Sequence, residues 1–316
     1  MKRILICGAT GFIGRNILDY FYDNQNYKIR ATHFKREHPT NYEGVEWVRC
    51  DLRDAAALPS LLDGVDIVLQ FAATTTGAKD IVSKPYMHVT DNVVMNSLLL
   101  QQAFMESVEH FIFPSCTIMY QKCDTALKES DFNPSDEILP FYYGPGHTKV
   151  YLENLCNFYS NLGETKHTVI RHSNIYGPYD KYDLEKSHVT GASITKVMNS
   201  DNEVVVWGTG EEKRDLLYVE DLLDFIEKAI NLQTEKFSLV NVGLGEGTRI
   251  IDLVEKIIKI ADKDINIKHD TTKPTLPTSL FLDCTLAKKK FDWSPNHTLE
   301  EGLAKTIKWY RENINE

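Results

Sequence analysis

Apolar residues gather in short runs through the first half of the chain, and longer stretches with apolar positions at helical spacing separate the runs. Runs at 4–7, 28–33, 45–49, 66–72, 110–116 and 167–171 are too short for helices and are rich in Ile, Val and Phe, so they predict strands. The stretches at 12–24, 55–62, 86–108 and 149–162 predict helices. Parallel strands need crossover connections, so the alternation predicts an α/β fold: a doubly wound, mainly parallel sheet with helices on both faces. Ligands of such sheets lie beyond the carboxyl ends of the strands, which makes the residues after each strand the ones to read for chemistry.

The second half is less regular. Segments 178–210 and 243–282 combine loops, Pro274, Pro277 and single helices, with a strand-like stretch at 237–242 between them. No internal repeat or low-complexity linker breaks the chain. The expected organisation is a cofactor-binding Rossmann domain at 1–175, to which 211–242 returns. Segments 176–210 and 243–316 then form a smaller, discontinuous α/β substrate lobe.

The first strand runs straight into Gly8-Ala9-Thr10-Gly11-Phe12-Ile13-Gly14 and then a helix. The glycines suit a tight turn, close backbone approach to a diphosphate and close helix–strand packing, and the helix start offers N–H groups to phosphate. Gly8, Thr10, Gly11, Phe12, Ile13 and Gly14 are therefore candidate dinucleotide contacts. After the second strand, where an acid normally holds the ribose, the chain reads Ala31-Thr32-His33-Phe34-Lys35-Arg36. His33, Lys35 and Arg36 would suit a 2′-phosphate, which favours NADP(H) with NAD(H) as the alternative. The competing reading is a solvated basic turn. A net charge of −10 argues against nucleic acid as a partner. Six cysteines without paired or metal-like spacing point to a reduced, cytoplasmic setting with no metal. The apolar run after Met1 is too short for a signal peptide or membrane span.

Further stations occur in order: Asp51-Leu52, Ala72-Ala73, Asn92, Arg171-His172-Ser173-Asn174-Ile175-Tyr176-Gly177-Pro178, and Arg214-Asp215-Leu216-Leu217-Tyr218-Val219-Glu220-Asp221. With the G-x-x-G-x-x-G turn, the chain resembles the extended short-chain dehydrogenases, in the nucleotide-sugar branch of the NAD-dependent epimerase/dehydratase family. The resemblance implies that Asp51, Leu52, Ala72, Ala73, Asn92, Lys149 and His172 contact the cofactor. It also implies a homodimer built on the helices at 86–108 and 149–162, which carry more apolar residues than one buried face requires.

In that family a Ser or Thr, a Tyr and a Lys cooperate, the Tyr passing a proton while hydride moves at the nicotinamide. Thr148-Lys149-Val150-Tyr151-Leu152-Glu153 resembles the Lys motif, but one turn before Lys149 stands Pro145. Pro is tolerated in a first helical turn, so the helix is expected to begin near Pro145. Tyr143 is the first candidate proton donor, from the preceding loop, with Tyr142 second. Cys116 occupies the Ser/Thr position, and its neighbours Thr117 and Ser115 carry hydroxyls. Residues 174–189 look like the corresponding segment of the GDP-L-fucose synthase subgroup. Its acid histidine falls on His188 and its partner cysteine on Ile118, which carries no transferable proton. Asn174 and Arg214 are candidate anchors for a nucleotide-diphosphate sugar, with His188 beside them. Three readings follow: a reductase of a nucleotide-4-keto-sugar, with or without epimerisation; an NAD-dependent C4 dehydrogenase or epimerase; and a non-catalytic dinucleotide-binding regulator.

Overall fold

The computed structural model describes residues 1–75, 84–121, 123–273, 275 and 279–314, so Pro274 and Pro277 lie outside the described residues. The strands are β1 (Lys2–Cys7), β2 (Tyr27–His33), β3 (Glu46–Arg49), β4 (Ile67–Gln70), β5 (His110–Pro114) and β6 (Lys166–His172). Short strands β7 (Asn174–Tyr176), β8 (Glu203–Trp207), β9 (Lys213–Arg214) and β10 (Leu216–Tyr218) precede β11 (Phe237–Val242), and β12 (Thr248–Arg249) and β13 (Asn266–Asp270) follow. The helices are α1 (Phe12–Tyr22), α2 (Leu58–Leu62), α3 (Thr90–Met105), α4 (Tyr143–Leu162), α5 (Val189–Met198), α6 (Val219–Leu232), α7 (Ile250–Ile260), α8 (Thr285–Phe291) and α9 (Leu299–Asn313).

Seven strands form one sheet in the order β11-β6-β5-β4-β1-β2-β3, and every neighbouring pair is parallel. Successive side chains of β1 point to opposite faces, as the strand period requires. Ile4 and Ile6 join the core beneath α1 and α6, while Leu5 and Cys7 join the core with residues of α2, α3 and α4. Both faces are thus buried, which is why the central strands read as unbroken apolar runs. The chain leaves β1 in one direction toward β3 and resumes at β4 on the other side, so the crevice opens between the ends of β1 and β4.

Two helices differ from the pattern's expectation. The 86–108 stretch is a 3-10 turn, Pro85–His88, followed by α3. Helix α4 begins at Tyr143, six residues ahead of Lys149. Pro145 is its third residue, inside the first turn, where no N–H has an intrahelical acceptor to lose. The second half supplies short pairs: β7 with β10, β9 with β12, and β8 with β13.

Candidate active site

At the carboxyl end of β1 the chain turns at Gly8, whose φ of +77° suits glycine. The Gly8 N–H donates to Thr32 Oγ1 at 2.9 Å, and the Gly11 N–H donates to the Gly8 carbonyl at 2.9 Å. A Cβ on Gly14 would lie 2.1 Å from the Gly8 oxygen, and one on Gly8 would lie 2.7 Å from Ala72 Cα. Helix α1 is therefore pressed onto the turn, and the loops after β1 and β4 meet backbone to backbone. Gly11 caps α1 with no side-chain hydrogen bond, and the first turn holds no acid. The N–H groups at Phe12 and Ile13 and the positive helix end are thus available to an anion, which fits a dinucleotide diphosphate.

Around this seat, Arg36 Nη1 donates to the Thr10 carbonyl at 3.1 Å. Lys35 and Arg36 are exposed, and neither takes part in a salt bridge among the described residues. His33 is buried, with Nδ1 3.1 Å from the Arg36 carbonyl, so its ring braces the turn that presents the two cations. Both oxygens of Asp51 are held by Arg53, at 2.9 and 2.7 Å, and that guanidinium keeps the carboxyl below its usual range. Leu52 is buried beneath. Asn92 donates to the Thr74 carbonyl at 3.0 Å and accepts from its N–H at 2.9 Å, which fixes the loop carrying Ala72 and Ala73.

The catalytic candidates lie past β5 and β6. Lys149 Nζ donates to the Pro114 carbonyl at 2.7 Å and sits 4.8 Å from the Phe113 ring centroid. Burial lowers its pKa, opposed by Cys116 and Glu153. Burial raises the Cys116 thiol, opposed by Lys149. Thr117 and Ile118 follow, both half-buried, and Ser115 is committed elsewhere, donating to Glu153 Oε1 at 2.5 Å. His172 donates through Nδ1 to the Ser173 carbonyl at 2.7 Å, which leaves Nε2 as an acceptor. Burial takes its pKa down to about 4, with Lys149 and His188 adding to the effect. His188 caps α5 at the cleft. The cleft walls partly desolvate it and lower its pKa, and Lys181 and His88 add their repulsion. Cys116, Lys149, His172 and His188 therefore form one electrostatically connected set.

The two tyrosines separate. Tyr143 is 62% exposed, with its ring 4.5 Å from that of His147. At about 100° per residue, positions six apart on a helix point about 120° apart, so Tyr143 faces away from Lys149. Tyr142 ends the 3-10 turn Pro140–Tyr142 just before α4 and packs, like Cys116, against the buried cluster of Met119, Tyr120 and Ile138. It is half-buried; burial raises its pKa, opposed by Arg214, and the Cys116 charge also reaches it. The structure brings Tyr142, not Tyr143, toward the other candidates.

On the substrate side, the β7–β10 pairing sets Asn174 opposite Leu216, and Asn174 Nδ2 donates to the Asp215 carbonyl at 3.1 Å. Asp215 is fully buried and accepts from the N–H groups of Leu244, Gly245 and Leu282 at 2.8, 3.1 and 3.1 Å. That acid is a staple that holds the half-buried Arg214 at the cleft. A second buried network spans both halves. Arg171 binds Glu153 through two bonds of 3.0 and 2.7 Å and donates to Tyr120, which donates to Asn241 at 2.9 Å. Sequence reading missed His88, which belongs to no motif, and Lys181, which lies in the 174–189 segment but reaches the crevice only through tertiary packing.

The model of the NAD dependent epimerase/dehydratase family matches residues 4–243. The chain is 28% identical to GDP-L-colitose synthase of Yersinia pseudotuberculosis, with 99% of each covered. It is also 28% identical to GDP-mannose 3,5-epimerase 1 of Oryza sativa subsp. japonica, over 99% of this chain and 82% of that protein. The UDP-glucose 4-epimerase of Thermotoga maritima, solved with UDP-glucose, superposes with a TM-score of 0.86 at 23% identity and covers 99% of both chains, which shows a shared fold. With the family match running from β1 to the end of β11, the chain belongs to the NAD-dependent epimerase/dehydratase family.

Proposed function

We propose that this chain is an NAD(P)-dependent oxidoreductase acting on a nucleotide-diphosphate sugar, and most directly a reductase of an NDP-4-keto-sugar. The observation that carries the reading is the set of Cys116, Tyr142, Lys149, His172 and His188 gathered past β5 and β6, at the same carboxyl edge of the parallel sheet as the glycine turn. A bound nicotinamide supplies or accepts the hydride. The chain's own part is to hold the sugar and manage one proton at its oxygen. Tyr142 keeps its proton through neutral pH and is the donor, in place of Tyr143. Lys149 stabilises negative charge near it and would hold the ribose of a bound cofactor. Arg214 takes the nucleotide diphosphate through its fork of donors, and Asn174 takes the sugar.

The neutral imidazoles of His172 and His188 add proton acceptors, which favours a second reading in which epimerisation accompanies reduction. Deuterium entering the sugar carbons from heavy water would establish it. Lys35 and Arg36 support NADP(H), and the six free cysteines support a cytoplasmic setting. None of the helices among the described residues is long and apolar enough to cross a membrane.

The test is a panel of GDP-, CDP-, UDP- and dTDP-4-keto-sugars with NADPH and with NADH, following loss of reduced nicotinamide. Turnover with one nucleotide and tighter NADPH binding are expected, with the preference erased in a Lys35→Ala/Arg36→Ala double variant. Bound dinucleotide with no turnover on any sugar would instead identify a non-catalytic regulator.

A further inference from the structure

Lys181 lies between β7 and α5, on the segment that leads into the later lobe, and its ammonium reaches back across the cofactor crevice. It donates to the Thr75 carbonyl at 3.0 Å and to Thr75 Oγ1 at 3.3 Å, on the loop that follows β4. The same segment is tied to the other wall, because Asn16 of α1 donates to the Pro178 carbonyl at 2.8 Å. Residues 178–181 thus run from the N-terminal half of α1 to the loop carrying Ala72 and Ala73, over the mouth of the crevice between β1 and β4.

The partners of Lys181 do not match its charge. Both atoms it binds are neutral oxygens, and it forms no salt bridge among the described residues. Its carboxylate neighbour Asp180 is buried, and Asp180 Oδ1 accepts the Lys181 backbone N–H at 2.7 Å rather than the ammonium. The Asp180 charge favours the ammonium, and Arg36, which donates to the Thr10 carbonyl of the glycine turn, opposes it. A half-buried cation with neutral partners, beside a second cation and an uncapped helix start, is poised for a doubly charged anion.

We propose that Lys181 is a clasp on the cofactor diphosphate: on binding, its ammonium leaves Thr75 for the phosphate oxygens and closes the 178–181 segment over the dinucleotide. This deepens the cofactor reading above and rests on it. Because the lysine comes from the later segment and the glycine turn from the first, the diphosphate itself joins the two, and cofactor release requires the clasp to open.

The experiment measures affinity and dissociation rate for NADPH, ADP and adenosine in the wild type, Lys181→Met and Lys181→Arg. Loss of one charge-assisted contact should weaken ADP and NADPH by about 10- to 100-fold and speed NADPH release. Adenosine, which has no phosphate, should bind the wild type and both variants alike, and Lys181→Arg should restore most of the loss. Equal weakening of adenosine would make Lys181 a mere brace of the loop and overturn the proposal. So would unchanged ADP and NADPH affinity in Lys181→Met. If the wild type binds no dinucleotide at all, the cofactor reading itself has failed, which is a separate outcome.

Discussion

Two adjacent tyrosines show how much a single position on a helix decides. Tyr143 is exposed on α4, whereas Tyr142 turns toward Cys116 and Arg214. Tyr142→Phe should therefore lower turnover about 10²–10⁴-fold, the range for a lost general acid, with cofactor affinity nearly intact. Tyr143→Phe should stay near the wild-type rate, and the opposite ranking would refute the assignment. The pH profile carries the same information. Burial raises the Tyr142 pKa above its ordinary value of about 10, so reductive turnover should be level through neutrality and decline only in an alkaline limb. A drop already below pH 6.5 would implicate a histidine acid instead, because burial lowers both His172 and His188. The sequence showed that the usual tyrosine position is a proline. It did not show which neighbour replaces it, because that depends on where α4 starts, and proline at its third residue permits a start at Tyr143.

At the scale of elements, the sheet was legible because its central strands are buried on both faces and read as apolar runs. The small pairs β7–β10, β9–β12 and β8–β13 were not, since runs of two to five residues without alternation carry no period. The sheet also places an acid-sensitive group at its foot. His167 of β6 is buried against Phe111, and neither ring nitrogen has a hydrogen-bond partner. Burial takes its pKa down to about 4, so the folded state holds it neutral. An unfolded histidine titrates near 6.5, so its contribution to stability is complete above about that pH and is lost as pH falls toward 4. His167→Phe should remove this dependence. Its stability relative to wild type should improve by up to about 1.4 kcal/mol per pH unit between 6.5 and 4, whatever its value at neutrality. Denaturant titrations at several pH values check this, and a pH-independent difference would contradict it.

For the whole molecule, α3 and α4 pack together and leave Met105, Tyr151, Phe158 and Leu162 between 47% and 66% exposed. Positions 151, 158 and 162 lie on one stripe of α4 at helical spacing. A second copy covering that face would make a four-helix interface, so light scattering should give a dimer, and Tyr151→Lys/Phe158→Lys should give a folded monomer. A monomeric wild type at working concentrations would rule this out. The surplus of apolar residues on these two helices was visible in the sequence, whereas the direction of the stripe required the true start of α4.

The glycine turn has a consequence for how the protein can change. Its seat for the dinucleotide is formed by backbone: Gly8 against Ala72, and Gly14 against Gly8, with no room for a Cβ at either glycine. The groups proposed to move protons are side chains that follow β5, end β6, precede α4 and cap α5. Loading and turnover therefore have separate points of failure. Replacing Cys116 or Tyr142 should yield protein that still binds its cofactor but is inert toward sugars. A single methyl group at Gly14 should yield the reverse, a protein with every proton-handling group in place and nothing to deliver the hydride.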